Sequence, residues 1–134
     1  MMKKVKVCGA VIRNDQNEIL CALRSPTMSL PNLWEFPGGK IEEGETAEET
    51  LVREIKEELG CTIEVYDKIE EVEYVYPHII VNLITYEAKI IDGRPQAKEH
   101  AKIEWIPLDV LQQLNWAPAD IPTVKKLLAN KIYK

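Results

Sequence analysis

The chain has 134 residues, of which 46% are hydrophobic and 29% are charged. This length predicts one domain over residues 1–134, large enough to fold without disulfides or a structural metal. The net charge of -5 argues against a nucleic-acid-binding surface, and neither a signal peptide nor an apolar run long enough to cross a membrane is visible.

The cysteines give an expectation about compartment. Cys8, Cys21 and Cys61 are odd in number, lack a CxxC spacing, and each lies among apolar neighbours. Cysteines of this kind are typical of small buried side chains rather than of disulfides or metal ligands. We therefore expect reduced, buried thiols and a cytoplasmic protein.

The first forty residues contain two strands and a loop. Val5–Ile12 and Ile19–Leu23 flank a polar turn, which predicts a strand-turn-strand unit, and the second strand is apolar enough to be covered on both faces. Ser25–Gly39 is rich in proline and glycine, so we expect a loop there, anchored by Trp34 and Phe36.

The clearest local pattern is that of a helix over Ala47–Leu59. Thr46 and Glu49 form a T-x-x-E capping box, and Gly60 is placed to end the helix. Apolar residues recur at steps of three and four, which predicts a stripe that packs on a sheet. The stripe consists of Leu51, Val52, Ile55 and Leu59.

The remainder of the chain predicts three strands and two helices. The strands cover Ile63–Tyr76, Ile79–Ile90 and Ala101–Ile106, a short helix covers Leu108–Leu114, and a last helix covers Ile121–Tyr133. The last helix carries an apolar stripe of Val124, Leu127, Leu128 and Ile132. Strands and helices in this order favour an α/β sandwich, with a mixed β-sheet between helices.

Three carboxylates share one face of the first helix. Glu54, Glu57 and Glu58 are separated by helical steps of three and four residues, which makes their side chains neighbours. At an effective dielectric constant near 20, each pair repels by about 3 kcal/mol, and a divalent cation would turn this repulsion into attraction. Carboxylate oxygens suit Mg²⁺, although a solvated acidic face is the ordinary alternative.

The residues around these glutamates favour a metal site over a solvated acidic face. The window from Gly39 to Cys61 matches the pattern G-x5-E-x7-R-E-U-x-E-E-x-G-U, where U is a bulky apolar residue. This window resembles the signature of the Nudix hydrolase family. The matching positions are Gly39, Glu45, Arg53, Glu54, Ile55, Glu57, Glu58, Gly60 and Cys61, and only Cys61 departs from the usual Ile, Leu or Val.

The resemblance implies roles for these residues. It implies that Glu54, Glu57 and Glu58 bind Mg²⁺, for which Mn²⁺ is a substitute, while the glycine at Gly39 lets a backbone carbonyl approach the metal. Arg53 lies four residues before Glu57 and within reach of Glu45 beyond the start of the helix, so it is expected to hold the acidic patch in register. Glu54 is the candidate general base.

The resemblance covers nearly the whole chain and points to the MutT-like branch of the family, closest to the CTP pyrophosphohydrolases. Trp34–Lys40 resembles the loop that leads into the signature, and Lys98–His100 lies where these enzymes place a further acidic ligand, here Glu99. Arg24 matches an arginine that contacts the nucleotide in such enzymes; an exposed surface position is the alternative for Arg24 and Glu99 alike. The substrate-binding candidates are Arg24, Glu35, Phe36, Pro37, Gly38, His78 and Asp120.

Asp120 carries the expectation about the base. It lies in Leu114–Pro122, which resembles the base-reading segment of the branch, at a position where readers of 8-oxoguanine have Asn. An ionised Asp only accepts hydrogen bonds, which suits the amine of cytosine and opposes O6 of guanine unless the acid is protonated. The alternative is that Asp120 simply caps the last helix.

Aromatic rings are candidates for stacking on the base. Phe36, His78 and Trp116 are placed to line a base pocket, and each could equally be a packing residue. For His78, a strand-end position without a role in binding is the more common case.

The sequence thus predicts a Mg²⁺-dependent hydrolase that converts nucleoside triphosphates into nucleoside monophosphate and pyrophosphate. CTP, dCTP or modified pyrimidine nucleotides are the expected substrates, with 8-oxo-dGTP as a second one. The alternatives are hydrolysis of ADP-ribose or another nucleoside diphosphate derivative, for which Pro77 gives weak support, and a non-catalytic nucleotide sensor. We expect a monomer or homodimer with no nucleic-acid or membrane partner.

Overall fold

The computed structural model describes the backbone of residues 2–132 and the side chains of residues 2–130. The strands are β1 (Lys3–Ile12), β2 (Glu18–Leu23), β3 (Trp34–Glu35), β4 (Gly38–Lys40), β5 (Thr62–Val75), β6 (Ile79–Asp92) and β7 (Lys102–Pro107). The α-helices are α1 (Ala47–Leu59) and α2 (Ile121–Ile132), and 3-10 helices cover Leu108–Gln113 and Pro118–Asp120.

The strands form two sheets, and each sheet contains two of the first four strands. One sheet has the order β4-β1-β6-β5, in which β1 and β6 run parallel and the other neighbours run antiparallel. The second sheet has the order β3-β2-β7 and is antiparallel throughout. The predicted strands β1 and β2 are confirmed, but they enter different sheets, and an isolated bridge between Arg13 and Ile19 connects the two segments.

Helix α1 begins and ends where its capping residues predict. The Thr46 hydroxyl accepts from the Glu49 N–H at 3.1 Å, Glu49 accepts from the Thr46 N–H at 2.9 Å, and Gly60 ends the helix with a φ of 76°. Three members of the predicted stripe are fully buried, but Val52 is 39% exposed, so its assignment to the stripe was wrong. Thr50 is buried as well, and its hydroxyl donates to Glu45 at 2.8 Å.

The two helices cover opposite faces of β1. Cys8, Ala10 and Ile12 pack in the cluster that contains the buried face of α1. Val11 points the other way and packs in the cluster that contains Val124 of α2. A mixed sheet between helices is therefore confirmed. Tyr133, where the sequence ends the last helix, lies outside the described residues.

Other expectations hold in modified form. Two short strands, β3 and β4, interrupt the predicted loop Ser25–Gly39, and the predicted short helix at Leu108 is a 3-10 helix. Cys8, Cys21 and Cys61 are buried free thiols, as expected. Neither helix within residues 2–132 is long and apolar enough to span a membrane.

Candidate active site

A cleft of about 460 Å³ opens beside β3 and β4. Among its walls are parts of β1, β3, β4, β6 and the end of α1, together with the segments that precede β7 and α2. Eight residues that the sequence singles out line it: Arg24, Glu35, Phe36, Gly38, Gly39, Glu58, Glu99 and Asp120. The fold thus gathers residues 96 positions apart in the chain, from Arg24 to Asp120, around one cavity.

Arg53 bonds to the carboxylates of Glu45 and Glu54 at the acidic end of the cleft. It binds Glu45 through two hydrogen bonds, from Nε at 2.7 Å and from Nη2 at 2.9 Å, and it donates from Nη1 to Glu54 Oε2 at 2.8 Å. Its contact with Glu57 is longer, at 3.5 Å, and the Glu57 side chain is 56% exposed. The hydrogen bonds from Arg53 lower the pKa of Glu45 to about 2.

Glu58 lies on the other side of this group, inside the cleft. It is 9% exposed, and its Oε1 has no hydrogen-bond partner among the described residues. Burial, followed by the neighbouring Glu54 carboxylate, raises the pKa of Glu58. Glu99 is exposed at the rim and adds to the negative potential at Glu58. A buried carboxylate oxygen without a donor is a position where a cation is stabilised.

The two glycines of β4 allow close approach on opposite sides. A Cβ on Gly38 would lie 1.9 Å from the Cys8 carbonyl oxygen, so any side chain there would disrupt the pairing of β4 with β1. A Cβ on Gly39 would lie 2.4 Å from Cδ of Glu54. The missing side chain at Gly39 therefore makes room for the Glu54 carboxylate against the backbone.

The acidic end fits a hard divalent cation in its chemistry. Its donors are carboxylate oxygens and backbone carbonyls, the groups that Mg²⁺ prefers, and Glu58 contributes the buried oxygen without a partner. Within residues 2–132, no three acidic, histidine or cysteine side chains are already arranged as a group that could hold a metal ion. Arg53 Nη1, at 2.8 Å from Glu54 and 3.5 Å from Glu57, is the cationic group that pairs with both carboxylates.

Glu35 lines the cleft and contacts two side chains, Arg24 and His100. Its Oε1 accepts from Arg24 Nη1 at 2.7 Å, and its Oε2 contacts His100 Nε2 at 2.8 Å. The Arg24 guanidinium also donates to the backbone oxygen of Ser29 at 2.6 Å and to its hydroxyl at 3.0 Å. Arg24 therefore fixes the loop that follows β2 as well as the carboxylate of Glu35.

Asp120 forms the end of the cleft opposite the glutamates. It is 6% exposed and accepts from the Phe36 backbone N–H at 3.4 Å. Burial, followed by the negative charge of Glu35, raises the pKa of Asp120 well above its usual value, although the Phe36 N–H and Arg24 act in the opposite direction. Its carboxyl group thus faces the cleft and Phe36, whereas no bond to the first turn of α2 is found within the described residues.

Aromatic side chains support this end. The rings of Phe36 and Trp116 are 4.7 Å apart between centroids and tilted by 33°. The Trp116 indole N–H donates to the Leu111 carbonyl at 2.7 Å, which fixes the ring behind Phe36. Phe36 lines the cleft itself, so Trp116 acts on the cleft only through Phe36.

Some predicted residues lie outside the cleft. His78 is exposed in the turn between β5 and β6, and Pro37 is buried with its carbonyl accepting from the Ala10 N–H at 2.7 Å. Neither residue is part of the cleft lining. Arg53, Glu54 and Glu57 lie beside the lining rather than within it, on the face of α1 next to Gly39.

Two polar residues of the cleft, Tyr76 and His100, were not predicted as site residues from the sequence. Tyr76, two positions before His78, lines the cleft, and its hydroxyl accepts from the Ala119 N–H at 3.1 Å. His100 is 7% exposed and is the polar neighbour of Glu35. Neither position carries a local pattern, since both partners lie more than forty residues away in the chain.

Comparison with known proteins agrees with this fold and arrangement. The NUDIX domain family model matches residues 2–127. The chain is 38% identical over 126 residues to an 8-oxo-dGTP diphosphatase from Escherichia coli K12, covering 94% of this chain and 98% of that protein. It is 34% identical over 128 residues to the CTP pyrophosphohydrolase of the same organism, covering 96% and 94%.

A solved structure of similar sequence adds to this. The MutT protein of the Nudix hydrolase family from methicillin-resistant Staphylococcus aureus 252, described as a DNA mismatch repair protein, is 48% identical, with a TM-score of 0.79 and coverage of 97% of this chain and 99% of that one. The α/β/α fold and the acidic cleft define a hydrolase of the kind that generally uses divalent metal ions. The chain belongs to the Nudix hydrolase family, and its relatives place it in the MutT-like branch.

Proposed function

We propose that this protein is a Mg²⁺-dependent nucleoside triphosphate pyrophosphohydrolase that prefers cytosine nucleotides and accepts 8-oxo-dGTP as a second substrate. The observation that carries this proposal is the layout of the cleft. A cluster of carboxylates at one end and the buried Asp120 at the other are joined by the segment from Phe36 to Gly39. Three residues of extended chain span at most about 10 Å, which suits a nucleotide with its phosphates at the glutamates and its base at Asp120.

The reaction breaks a phosphoanhydride bond. Water adds to a phosphorus atom, the bond to the leaving phosphate oxygen breaks, and the products are a nucleoside monophosphate and pyrophosphate. Glu57, Glu58 and Glu99 together with the Gly39 carbonyl are the residues that would hold the metal, with Glu54 beside them. When bound, Mg²⁺ supplies charge neutralisation for the phosphates and lowers the pKa of a coordinated water.

Glu54 is the proposed general base. Arg53 occupies its Oε2 at 2.8 Å, which leaves Oε1, next to Gly39, to take the proton from the attacking water. The pair of hydrogen bonds from Arg53 to Glu45 fixes the guanidinium, so that the Glu54 side chain keeps one orientation. Arg53 thereby positions the base.

Asp120 supports a preference for cytosine. In its neutral form, which burial favours, the carboxyl group donates one hydrogen bond and accepts another. It can then pair with N3 and the N4 amine of cytosine, or with O6 and the N7–H of 8-oxoguanine. After ionisation the carboxylate loses its bond to cytosine N3 but still accepts from the amine, whose second hydrogen points away from N3. In 8-oxoguanine the N7–H lies between the acceptors O6 and O8, so the carboxylate is repelled there. Cytosine is thus recognised in both states, and 8-oxoguanine in one.

The relatives support the reaction class and both bases. One carries the name of an 8-oxo-dGTP diphosphatase and another that of a CTP pyrophosphohydrolase, at 38% and 34% identity. Their similar identity favours neither base, so the preference for cytosine rests on Asp120.

A substrate panel tests the proposal. Purified protein is assayed for pyrophosphate release from the four ribonucleotides, dCTP, 8-oxo-dGTP and dGTP, each with Mg²⁺ and with chelator. We expect the highest kcat/KM for CTP or dCTP, a measurable value for 8-oxo-dGTP, and none after chelation. A much higher kcat/KM for 8-oxo-dGTP than for any cytosine nucleotide would overturn the base assignment. Turnover of ADP-ribose to AMP and ribose phosphate, without release of pyrophosphate from triphosphates, would overturn the reaction class.

A further inference from the structure

His100 is a buried polar side chain that has no role in the proposed reaction. Its side chain is 3% exposed, it lines the cleft, and its Nε2 lies 2.8 Å from Glu35 Oε2. Its other ring nitrogen, Nδ1, is buried and has no hydrogen-bond partner in the part of the chain that the structure describes. A buried polar atom of this kind destabilises the folded protein unless something pairs with it.

The contact with Glu35 sets the chemistry of Nδ1. Glu35 also accepts from Arg24 at 2.7 Å, so its carboxylate is an acceptor toward both neighbours. Nε2 of His100 must therefore carry the proton that it donates to Oε2. In a neutral imidazole this leaves Nδ1 with a lone pair, which makes it a hydrogen-bond acceptor inside the cleft.

The position of Glu35 tells which part of a nucleotide His100 would meet. Glu35 directly precedes Phe36, whose backbone N–H contacts Asp120 at one end of the cleft, and His100 directly follows Glu99, which lines the cleft near the acidic end. Glu35 and its partner His100 therefore lie between the proposed base site and the proposed phosphate site. In a nucleotide, the group between base and phosphates is the sugar, and its hydroxyls are donors.

We propose that His100 Nδ1 accepts a hydrogen bond from a sugar hydroxyl of the nucleotide, and that His100 is a specificity-determining residue for the sugar. This inference rests on the proposed function, because it needs the base at Asp120 and the phosphates at the glutamates. His100 takes no part in bond breaking. Glu35 and Arg24 hold its ring, so that Nδ1 is fixed before the nucleotide arrives.

Two variants test the roles of Nδ1 and Nε2 of His100 separately. In His100→Gln, the amide nitrogen is as many bonds from Cβ as Nε2, so the donor to Glu35 is kept and the acceptor at Nδ1 is lost. In His100→Asn, the amide oxygen is as many bonds from Cβ as Nδ1, so an acceptor is kept and the contact with Glu35 is lost. A residue with a purely structural role would respond to the two changes without regard to the sugar.

The test measures kcat and KM of the wild type and both variants with CTP, dCTP and 2′,3′-dideoxy-CTP. In the wild type, we expect loss of the recognised hydroxyl to raise KM by about 3- to 10-fold with little change in kcat, the effect of one hydrogen bond to a neutral acceptor. In His100→Gln, loss of the same sugar hydroxyl should change KM by less than about twofold. His100→Asn should retain most of the wild-type response to the hydroxyl, with a lower Tm.

The outcomes distinguish this inference from the proposed function. If the wild type releases pyrophosphate but each step in the sugar series changes KM by the same factor in wild type and His100→Gln, the inference about His100 is overturned and the proposed function stands. If the wild type hydrolyses none of the triphosphates, the proposed function itself fails.

A spectroscopic measurement gives a second readout that is independent of turnover. The chain contains 2 histidines, and the exposed His78 serves as an internal reference for ¹⁵N spectra of the imidazole rings. In the complex with CMP, we expect His100 to carry its proton on Nε2 and to have an unprotonated Nδ1 whose resonance shifts on binding. A protonated Nδ1 in the complex, or an Nδ1 that does not respond to CMP, would overturn the inference.

Discussion

The two ends of the cleft are built in different ways. At the acidic end, Glu45, Arg53, Glu54 and Glu58 lie within fourteen residues of each other, on one helix and the turn before it. At the opposite end, Asp120 meets the Phe36 N–H, which is 84 residues away, and Tyr76 holds the backbone of Ala119 from 43 residues away. Local geometry therefore determines the first end, whereas the second exists only in the folded protein. Changes at the first end should act mainly on the rate, and changes at the second mainly on the choice of substrate.

The largest effect is expected from Glu57→Gln. The substitution removes one carboxylate from the proposed ligand set, and a metal supplies several kcal/mol of stabilisation to such a reaction. We expect kcat to fall by about 100- to 1,000-fold. The Glu57 side chain is 56% exposed, so the Tm should change by less than about 2 °C. Pyrophosphate release and thermal unfolding are measured on the same preparation.

Glu48→Gln is the matched control for this change. It removes the same charge from the same helix, at an exposed position in the first turn that is no part of the cleft. Its kcat should stay within about twofold of the wild type. Equal kcat values for Glu57→Gln and the wild type would remove Glu57 from the metal site.

The two glycines of β4 make a sharper comparison, since they are neighbours in sequence. A Cβ on Gly39 meets the end of the Glu54 side chain, which can move, so Gly39→Ala should lower kcat by about 100-fold through displacement of the carboxylate. A Cβ on Gly38 meets the backbone carbonyl of Cys8 at 1.9 Å, which cannot move without breaking the strand pair. Gly38→Ala should therefore cost about 3 kcal/mol of unfolding free energy.

Denaturant unfolding and steady-state kinetics on both variants check this pair of predictions. The expected pattern is a stable but slow Gly39→Ala and an unstable Gly38→Ala. The reverse pattern would show that the Glu54 carboxylate does not depend on the space at Gly39.

Asp120, at the opposite end of the cleft, should make the choice of substrate depend on pH. Burial is the main reason that the pKa of Asp120 is raised; Glu35 raises it further, whereas the Phe36 N–H and Arg24 lower it. Because its pKa is raised, the neutral form persists above the usual range of a carboxyl group. As pH rises through the pKa in the folded state, Asp120 ionises and repels O6 of 8-oxoguanine. The ratio of kcat/KM for 8-oxo-dGTP over that for CTP should thus fall by about 10-fold.

Asp120→Asn is the control, since an amide has a fixed donor and acceptor over the whole range. In this variant the ratio should no longer depend on pH, while the dependence of kcat shared by both substrates should remain. A ratio that is flat in the wild type as well would contradict the role of Asp120 in recognition of the base.

The same contrast between the two ends explains what could be predicted from the sequence. The bounds of α1 and its caps follow from helical spacing, and the contact of Arg53 with Glu45 joins residues that are close in the chain; the structure has both as predicted. The partners of Asp120 could not be predicted, because its contact with Phe36 depends on how two distant segments pack. His78 was predicted as a site residue and Tyr76 was not, which reflects the same limit, since the direction of the turn after β5 decides which of the two side chains enters the cleft.

The smallest expected effect tests whether the local order of α1 is needed for the acidic end to work. Thr46→Ala removes the hydroxyl that accepts from the Glu49 N–H and leaves of the capping box only the bond from the backbone N–H of residue 46 to Glu49. Loss of such a cap costs about 1 kcal/mol, which lowers the Tm by about 3–5 °C in a domain of this size. The glutamates that form the proposed metal site lie in the second half of the helix, two turns beyond the cap. Their geometry depends on packing of Ile55 and Leu59 rather than on the first turn. We therefore expect an unchanged kcat at 25 °C, whereas a fall in kcat of about 10-fold or more would show that the cap orients Glu45, and through it Arg53 and Glu54.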